Sequence, residues 1–259
     1  MADPLILIER EENIAILRLN RPQALNAFTA DMLVQIRDAL DALGADAAVR
    51  AILITGEGRG FCAGQDLAAV PADGDLGATV EEHYNPLIRR LRALRKPVVC
   101  AVNGVAAGAG ANIALACDIV LAARSAQFIQ AFAKIGLVPD SGGTWVLPRL
   151  VGEARARALT FLGEPLKAEQ AEAWGLIWKA VDDAALMAEA EALTAHLATQ
   201  PTFGLGLTKA LLNQSSTSTL DHQLDLERDA QRRAGQTHDY AEGVQAFAEK
   251  RAPSFTGRE

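Results

Sequence analysis

Residues 98–123, VVCAVNGVAAGAGANIALACDIVLAA, form a long apolar run that changes character twice. The run begins and ends in stretches rich in Val, Ile and Leu, which are typical of buried strands. The glycines and alanines between them favour a tight turn that opens a helix. Asn103, Asn112 and Asp118 interrupt the run, and small side chains contribute little to transfer into a membrane. The segment therefore predicts a buried strand, turn, helix and strand rather than a membrane helix.

The flanking sequence continues the alternation of strands and helices. LILIE and IAILRLN, joined by REEN, predict a hairpin. Apolar side chains recur at helical spacing within residues 21–46, with Thr29 or Asp31 as the N-cap. Residues 80–94 predict a second helix. VRAILITG and KPVVCAVNG predict buried strands. This order predicts an α/β fold, followed after Pro201 by helices whose apolar stripes need a partner.

Composition limits the classes of function. The 259 residues are 50% hydrophobic, enough for a sizeable core, and a formal net charge of −7 argues against nucleic acid as a partner. Cys62, Cys100 and Cys117 are too scattered for a disulfide framework, so we expect buried free thiols and a reducing compartment, the cytoplasm. The histidines lack metal-ligand spacing, so no metal site is expected. The N-terminus does not resemble a secretory signal.

Three glycine-rich turns are the candidates for a functional site. GEGRGFCAGQDL (56–67) and NGVAAGAGANIALACD (103–118) each leave a predicted strand, and their small residues leave main-chain N–H groups open to a ligand. IGLVPDSGGTW (135–145) holds one carboxylate, Asp140, in what by itself is ordinary turn chemistry. The first two turns lack the dinucleotide and phosphate-loop patterns. Two converging N–H groups would bind an oxygen that becomes negative during a reaction, so the three turns together favour a site.

FCAGQDL, KPVVCAVNGVAAGAGANIALACDIVLAA and AQFIQAFAKIGLVPDSGGTWVLPRLVG resemble the crotonase, or enoyl-CoA hydratase/isomerase, superfamily. The likeness runs nearly end to end. It implies a crotonase-like spiral of ββα units in an α/β core at residues 1–200 and a helical C-terminal trimerisation region at residues 201–259. It also implies a homo-oligomer, either a trimer or a dimer of trimers. The substrate would be an acyl-CoA thioester, with no separate cofactor because CoA is part of the substrate, and with no nucleic acid or membrane as a partner.

The same resemblance implies roles for individual residues. The main-chain N–H groups of Gln65 and Ala109 would form an oxyanion hole for the thioester carbonyl, and Asp140 would be the catalytic base. The other implied substrate and CoA contacts are Ala24, Ala63, Asp66, Leu67, Asn112, Phe132, Phe247 and Lys250. The last two would reach the CoA of a neighbouring subunit. A core position for Phe247 and a solvated surface charge for Lys250 are the alternatives.

The neighbours of Asp140 predict how it would act as a base. Ile135, Leu137, Val138 and Phe132 are apolar, and an apolar environment disfavours the charged carboxylate. The pKa of Asp140 would then be raised toward a range useful for proton transfer. The turn residues would hold the carboxylate rigidly.

Departures from the family pattern indicate the type of reaction. Typical hydratases carry glutamates where this chain has Asn112 and Phe132, and addition of water needs both an acid and a base. A nucleophilic dehalogenase would carry a histidine near Asn85 and a tryptophan near Phe132. One carboxylate is enough for an isomerase, which removes a proton and returns it elsewhere on the same face of the substrate.

Three further segments refine the resemblance: FIQAFAKIGLVPDSGGTWVLPRLVG, LATQPTFGLGLTKALLN and LDLERDAQRRAG. They are most similar to isomerases that convert ring-1,2-epoxyphenylacetyl-CoA into an oxepin-type enoyl-CoA and move C3–C4 double bonds to C2–C3. Two alternatives stay open. One is a fatty enoyl-CoA isomerase or hydratase of the same fold, and the other is a non-catalytic oligomer that binds CoA esters.

Overall fold

A computed structural model describes residues 4–69 and 74–259. Within these residues the chain forms ten strands and eleven α-helices. The strands are β1 (Ile6–Glu11), β2 (Ile14–Leu19), β3 (Ala51–Gly56), β4 (Gly60–Cys62), β5 (Val98–Val102), β6 (Val105–Ala107), β7 (Ile119–Ala123), β8 (Gln127–Ile129), β9 (Leu166–Lys167) and β10 (Lys179–Val181). The helices are α1 (Ala30–Ala45), α2 (Leu76–Thr79), α3 (Asn85–Ala93), α4 (Ala109–Leu115), α5 (Gly143–Val151), α6 (Glu153–Leu162), α7 (Ala168–Ala173), α8 (Leu186–Thr199), α9 (Thr202–Ser215), α10 (Leu220–Ala234) and α11 (His238–Glu249).

The six-stranded sheet has the order β1-β2-β3-β5-β7-β10. β1 and β2 form the predicted antiparallel hairpin, and every other neighbouring pair is parallel. All residues of β3 and β5 are buried, as expected for parallel strands covered on both faces. Because β3, β5 and β7 run in the same direction, the turns that follow them leave the sheet at one edge.

A second sheet has the order β4-β6-β8-β9 and consists of two- and three-residue strands. β4, β6 and β8 follow β3, β5 and β7 respectively, so each long strand turns into a short strand of the other sheet. This alternation confirms the predicted α/β arrangement of crotonase-like ββα units. β6 is a short strand that the sequence analysis treated as part of a turn.

Two helices lie where the periodicity predicted them, with differences at their ends. α1 begins after Thr29, whose hydroxyl accepts a hydrogen bond from the Met32 N–H, so Thr29 rather than Asp31 is the N-cap. The helix predicted at residues 80–94 begins earlier, at α2, and continues through a π-helical segment, Val80–Tyr84, into α3. A π segment widens the turn by one residue and shifts the following side chains around the helix axis. Nothing in an amphipathic pattern predicts that shift.

The apolar run at residues 98–123 folds as β5, β6, α4 and β7, which confirms the predicted strand, turn, helix and strand. No helix in the described part of the chain is long and apolar enough to cross a membrane. Cys62, Cys100 and Cys117 are all buried and free, as predicted.

Beyond α8 the chain continues in helices, and Arg50 connects this part to the sheets. α8 packs against β3, β5 and β7, and α9 contacts α3 and α8. The guanidinium of Arg50 donates hydrogen bonds to the carbonyls of Gln200 (2.5 Å) and Phe255 (2.8 Å) and to the hydroxyl of Thr202 (3.1 Å). The division into units at residues 1–200 and 201–259 stays a prediction.

Replacing Arg50 tests how firmly the C-terminal helices are attached. Arg50→Met removes three hydrogen bonds and leaves two carbonyls without their donor, so we expect a loss of about 1–3 kcal/mol in the free energy of unfolding. The measurement is denaturant unfolding, with limited proteolysis to locate any loosening near the C-terminus. Arg157→Met is the control, because among the described residues Arg157 pairs only with Glu153, on an exposed helix face, and the variant should cost no more than about 0.5 kcal/mol. Equal unfolding curves for both variants would contradict the expectation.

Candidate active site

The turn after β4 presents the Gln65 N–H group without an acceptor. Phe28 donates its N–H to the Gly64 carbonyl at 2.7 Å, and Asp66 donates its N–H to the Phe28 carbonyl at 2.9 Å. These two bonds fix the main chain on both sides of Gln65. No group within residues 4–69 and 74–259 accepts a hydrogen bond from the Gln65 N–H. The turn therefore offers one oriented donor to a ligand.

The turn after β6 presents a second donor. Gly108 has φ 51° and ψ −124°, and α4 begins at the next residue, Ala109. Ala109 is buried, and its N–H donates to no group in the part of the chain that the structure describes. The first N–H groups of a helix have no partner inside the helix, so a ligand oxygen can accept from them.

The two turns lie directly against each other. Gly64 has φ 94°, and a Cβ atom added to it would lie 2.9 Å from the Ala107 carbonyl oxygen and 3.7 Å from the Ala109 nitrogen. Only a residue without a side chain fits this approach. Glycine at position 64 thus brings the Gln65 and Ala109 main chains together, in the arrangement that an oxyanion hole requires.

Asp140 lies in the third turn, at the start of α5. Its own carbonyl accepts a hydrogen bond from the Gly143 N–H at 2.8 Å, and the Ser141 hydroxyl donates to its carboxylate at 2.9 Å. Ser141 and Gly142 follow with φ values of 50° and 77°. Burial raises the pKa of Asp140 above its ordinary value of 3.8, while the Ser141 hydrogen bond acts in the opposite direction. The direction of the shift is the predicted one.

The surroundings of Asp140 differ from those predicted. Phe132 is buried, but Ile135, Leu137 and Val138 are exposed on the single chain, and Val138 is 79% exposed. The predicted apolar enclosure of Asp140 by these three side chains is therefore incomplete on the single chain.

Two residues of the helical segment before β5 also lie near this turn. Tyr84 is 1% exposed, and its pKa is raised by burial and, second, by the negative charge of Asp140. Ile88 lies one helical turn further on, and its Cγ2 atom is 3.7 Å from the position of a Cβ on Gly142. The sequence analysis placed both residues in a helix but assigned neither to the site. Tyr84, Leu87 and Ile88 are spaced so that they share one helix face, and this spacing is the sequence pattern that could have indicated their position at the site.

A cavity of 290 Å³ lies beside the Gln65 turn. Its walls include Phe28, Thr29, Gln65, Asp66, His83 and Tyr84. The Nδ1 atom of His83 is buried and has no hydrogen-bond partner among the described residues. A larger cavity of 860 Å³ lies among the C-terminal helices and is lined by none of the three turns. Of these two cavities, the smaller one is lined by residues of the first glycine-rich turn.

Asn112 and Phe132 are the two residues at which the family resemblance implies a departure from the hydratase pattern. The Asn112 side chain is fully buried and donates from Nδ2 to the Asp140 carbonyl at 2.9 Å. Gln130 donates from Nε2 to Asn112 Oδ1 at 2.9 Å. The Phe132 ring lies 3.6 Å from the position of a Cβ on Gly108. Asn112 thus contacts Asp140, and a substrate contact for Asn112 stays a prediction.

The remaining predicted contacts fall into two groups. Ala24, Ala63, Asp66 and Leu67 lie around the first turn, where the Ala63 N–H donates to the Leu25 carbonyl and Asp66 forms an ion pair with Arg21. Phe247 and Lys250 lie at the end of α11 and its C-cap, where Phe247 is 87% exposed. The alternative that Phe247 is a core residue is therefore wrong for the single chain. Contact of Phe247 and Lys250 with CoA on a neighbouring subunit stays a prediction.

Comparison with known proteins identifies the family of the chain. The sequence pattern of the family described as enoyl-CoA hydratase/isomerase matches residues 9–258. The chain belongs to this family. Among relatives, the 1,2-epoxyphenylacetyl-CoA isomerase of Escherichia coli (strain K12) is 57% identical over 98% of both chains. A probable enoyl-CoA hydratase of Rhodobacter capsulatus is 46% identical, again over 98% of both.

Solved structures of the enoyl-CoA hydratase/isomerase family share the fold. The crystal structure of a putative enoyl-CoA hydratase/isomerase from Mycobacterium abscessus has a TM-score of 0.92 at 38% identity. The match covers 98% of this chain and 100% of that one. The two chains therefore share one overall fold.

Substitution at Gly64 tests the close approach of the two donor turns. A side chain at Gly64 would push the first turn away from Ala109, so Gly64→Ala should lower kcat for a thioester substrate about 100-fold. Gly175→Ala is the matched control, because Gly175 also has a positive φ, 77°, but would make only an ordinary contact of 3.6 Å. Both variants should lose a similar 1–3 kcal/mol or so of stability from backbone strain. Equal turnover by the two folded variants would contradict the role of this approach.

The raised pKa of Asp140 predicts a gain in stability when the carboxylate is removed. The folded chain binds this proton more tightly than the unfolded chain, so stability falls as the pH rises through the window between the two pKa values. At pH 7, well above the ordinary pKa of an aspartate, this deficit is present. Asp140→Asn should therefore have a higher Tm than wild type at pH 7. The difference should shrink as the pH falls below about 4, the ordinary pKa of an aspartate. A lower Tm at pH 7 would contradict the expected sign.

Proposed function

We propose that the protein is an acyl-CoA isomerase. It converts ring-1,2-epoxyphenylacetyl-CoA into the oxepin-type enoyl-CoA and moves C3–C4 double bonds of enoyl-CoA to C2–C3. The observation on which this proposal rests is the combination of one desolvated carboxylate, Asp140, with two unpaired main-chain donors, Gln65 and Ala109. Asn112 and Phe132 supply no acid or base where hydratases carry theirs.

The donors account for the first step. A thioester carbonyl that accepts hydrogen bonds from the Gln65 and Ala109 N–H groups becomes more electron-withdrawing, and its α-C–H becomes more acidic. When the α-proton leaves, the negative charge moves to that oxygen, where preorganised donors stabilise it most. Main-chain groups fixed by neighbouring hydrogen bonds need no rearrangement as the charge develops.

Asp140 accounts for the proton transfers. Its carboxylate takes the α-proton, and the carboxylic acid that results returns the same proton to a carbon further along the conjugated system. The double bond moves by one position, and no atom enters or leaves. A raised pKa suits this double role, because the group must hold the proton briefly and then release it. The arene epoxide and the oxepin-type product are also isomers. The C–C bond shared by the epoxide and the six-membered ring breaks and the ring double bonds shift as the ring expands, and Asp140 moves the α-proton to a ring carbon, which leaves a double bond conjugated with the thioester.

The choice of acyl group rests on the relatives and on the cavity. The isomerase of Escherichia coli that is 57% identical to this chain is named for 1,2-epoxyphenylacetyl-CoA. The 290 Å³ cavity beside Gln65 has aromatic walls at Phe28 and Tyr84, which suit a ring. The cavity lies at the lower end of the range for small-molecule sites, as expected for an acyl group whose CoA portion stays outside.

The alternative within the same fold is fatty enoyl-CoA isomerisation or hydration. Relatives named as hydratases support it, among them the Rhodobacter capsulatus protein at 46% identity. Hydration needs one group to activate water and one to protonate carbon, and Asp140 can serve only one of these roles at a time. We therefore place the isomerase first.

Assembly, compartment and cofactor use belong to the same proposal. The C-terminal helices expose apolar side chains to solvent on the single chain: Leu220, Leu224, Tyr240, Val244 and Phe247. An apolar surface of this kind supports association, and we propose a homo-oligomer, a trimer or a dimer of trimers. The buried free thiols are compatible with a cytoplasmic location. The reaction uses no separate cofactor, since CoA enters with the substrate.

A paired spectrophotometric assay tests the proposed function. With a cis-3-enoyl-CoA, wild type should form the conjugated thioester, and with a trans-2-enoyl-CoA it should remove little of it. Asp140→Asn should lower kcat for isomerisation about 10²–10⁴-fold, the usual contribution of a general base. Asp182→Asn is the control, because Asp182 is an exposed carboxylate paired with Arg124. Fast loss of the trans-2-enoyl-CoA would mean that the protein is a hydratase.

Proton exchange separates the isomerase from a protein that only binds CoA esters. Phenylacetyl-CoA has an acidic α-CH₂ but no double bond to move, so an enzyme with a base over this carbon should exchange its α-protons with heavy water. Mass spectrometry of the recovered thioester measures the exchange. Binding without exchange would favour the non-catalytic alternative.

A further inference from the structure

Two buried side-chain amides form a hydrogen-bond chain that ends at the main-chain carbonyl of Asp140. Asn112 is 0% exposed and Gln130 is 3% exposed. Gln130 Nε2 donates to Asn112 Oδ1, and Asn112 Nδ2 donates to the Asp140 carbonyl, each at 2.9 Å. Buried amides retained at a site need a reason, because each polar atom must find a partner or lose its hydration energy.

The carbonyl of Asp140 determines the direction of this hydrogen-bond chain. A carbonyl can only accept, so the nitrogen of Asn112 faces it and the oxygen of Asn112 faces Gln130. Gln130 must then present its nitrogen, which leaves its Oε1 buried without a partner among the described residues. The unpaired oxygen lies at the far end of the chain, and both links toward Asp140 are made.

The Asp140 turn needs an external attachment. Ser141 has φ 50°, a conformation that costs a non-glycine residue about 1–3 kcal/mol, and Gly142 has φ 77°. Inside the turn, the Asp140 carbonyl accepts from the Gly143 N–H. The second bond, from Asn112, comes from a different element, α4. The peptide group that leads out of Asp140 is therefore held from two directions.

The Asn112 amide is also in close contact with the first turn of α5. A Cβ atom added to Gly143 would lie 2.4 Å from Asn112 Nδ2. The first turn of α5 thus packs directly on the Asn112 amide. Asn112 also lies three residues after Ala109, on the same face of α4. One turn of this helix bears both the second oxyanion donor and the group that holds the base.

We infer that Asn112 and Gln130 are positioning residues for Asp140, and this inference rests on the proposed function. Asn112 clamps the Asp140 carbonyl, and Gln130 orients Asn112, so that the carboxylate stays over the α-carbon of a thioester bound at Gln65 and Ala109. Neither amide touches the reacting atoms. A carboxylate at position 112 could not do this work, because an ionised carboxylate has no hydrogen to donate to the Asp140 carbonyl.

The experiment follows α-proton exchange of phenylacetyl-CoA in heavy water, at saturating and at low thioester concentration. Asn112→Leu removes the clamp at similar volume, and we expect the saturated exchange rate to fall about 100-fold, as for a misplaced reacting group. The dissociation constant of the thioester should be nearly unchanged. Gln130→Met should reduce the rate less, about 10-fold, as outer partners of a site residue typically do. Because Gln130 acts through Asn112, the double variant should be no slower than Asn112→Leu alone.

Thr194→Val is the matched control for the loss of a buried polar contact. Thr194 is 0% exposed and donates its hydroxyl to the Ala190 carbonyl within α8. This variant should lower the Tm and leave the exchange rate unchanged. If Asn112→Leu does not fold, Gln130→Met decides alone: a slower saturated rate at constant affinity supports the inference, and an unchanged rate overturns it.

Two further outcomes would overturn the positioning role. Weaker thioester binding with an unchanged saturated rate in Asn112→Leu would make Asn112 a substrate contact instead. Additive effects in the double variant would show that Gln130 does not act through Asn112. Exchange depends on the base and the oxyanion donors but not on double-bond movement. A wild-type protein that exchanges but does not isomerise therefore contradicts the proposed function and leaves this inference standing.

Discussion

The contact between the main chain of α4 and that of β4 is the constraint on which the rest of the site depends. A Cβ atom added to Gly110 would lie 2.5 Å from the Cys62 carbonyl oxygen and 2.8 Å from Cys62 Cβ. No side chain fits between these elements, so the helix and the strand meet backbone to backbone. The approach brings Ala109 to the turn that contains Gln65, and it sets where Asn112 meets the chain at Asp140.

The architecture around this contact is predictable because it depends on local patterns. Buried strands such as β3 and β5 are continuous apolar runs, and α1 has apolar side chains at helical spacing behind Thr29. The glycine-rich turns are visible because few other residues tolerate such main-chain conformations. That the turns meet at one edge follows from the parallel order of the strands, which the sequence indicated only through its alternation of strands and helices.

Other parts of the site were not predictable, for reasons that are also physical. The π segment at Val80–Tyr84 has no signature in the spacing of apolar residues, and it ends at Tyr84, whose pKa is raised by burial and by the charge of Asp140. The partners of Asn112 are Gln130, directly after β8, and the Asp140 turn, 18 and 28 residues away in the chain. Hydrogen bonds over such separations leave no pattern of spacing in the sequence. The same holds for Val138, whose apolar side chain suggested burial although the folded chain exposes it.

The placement of Ala109 and Asn112 on one turn of α4 has a consequence for how such a protein can change during evolution. Three residues of a helix advance by about 4.5 Å, so the spacing between the thioester site and position 112 is a property of helix geometry. In the proposed function, activation of the thioester depends on main-chain atoms, which substitution leaves in place. Position 112 is a side chain, and exchange of an amide for a carboxylate there alters which protons the site can handle. New reactions can therefore arise on this scaffold without the loss of substrate activation, since the two tasks are encoded by different parts of the same helix.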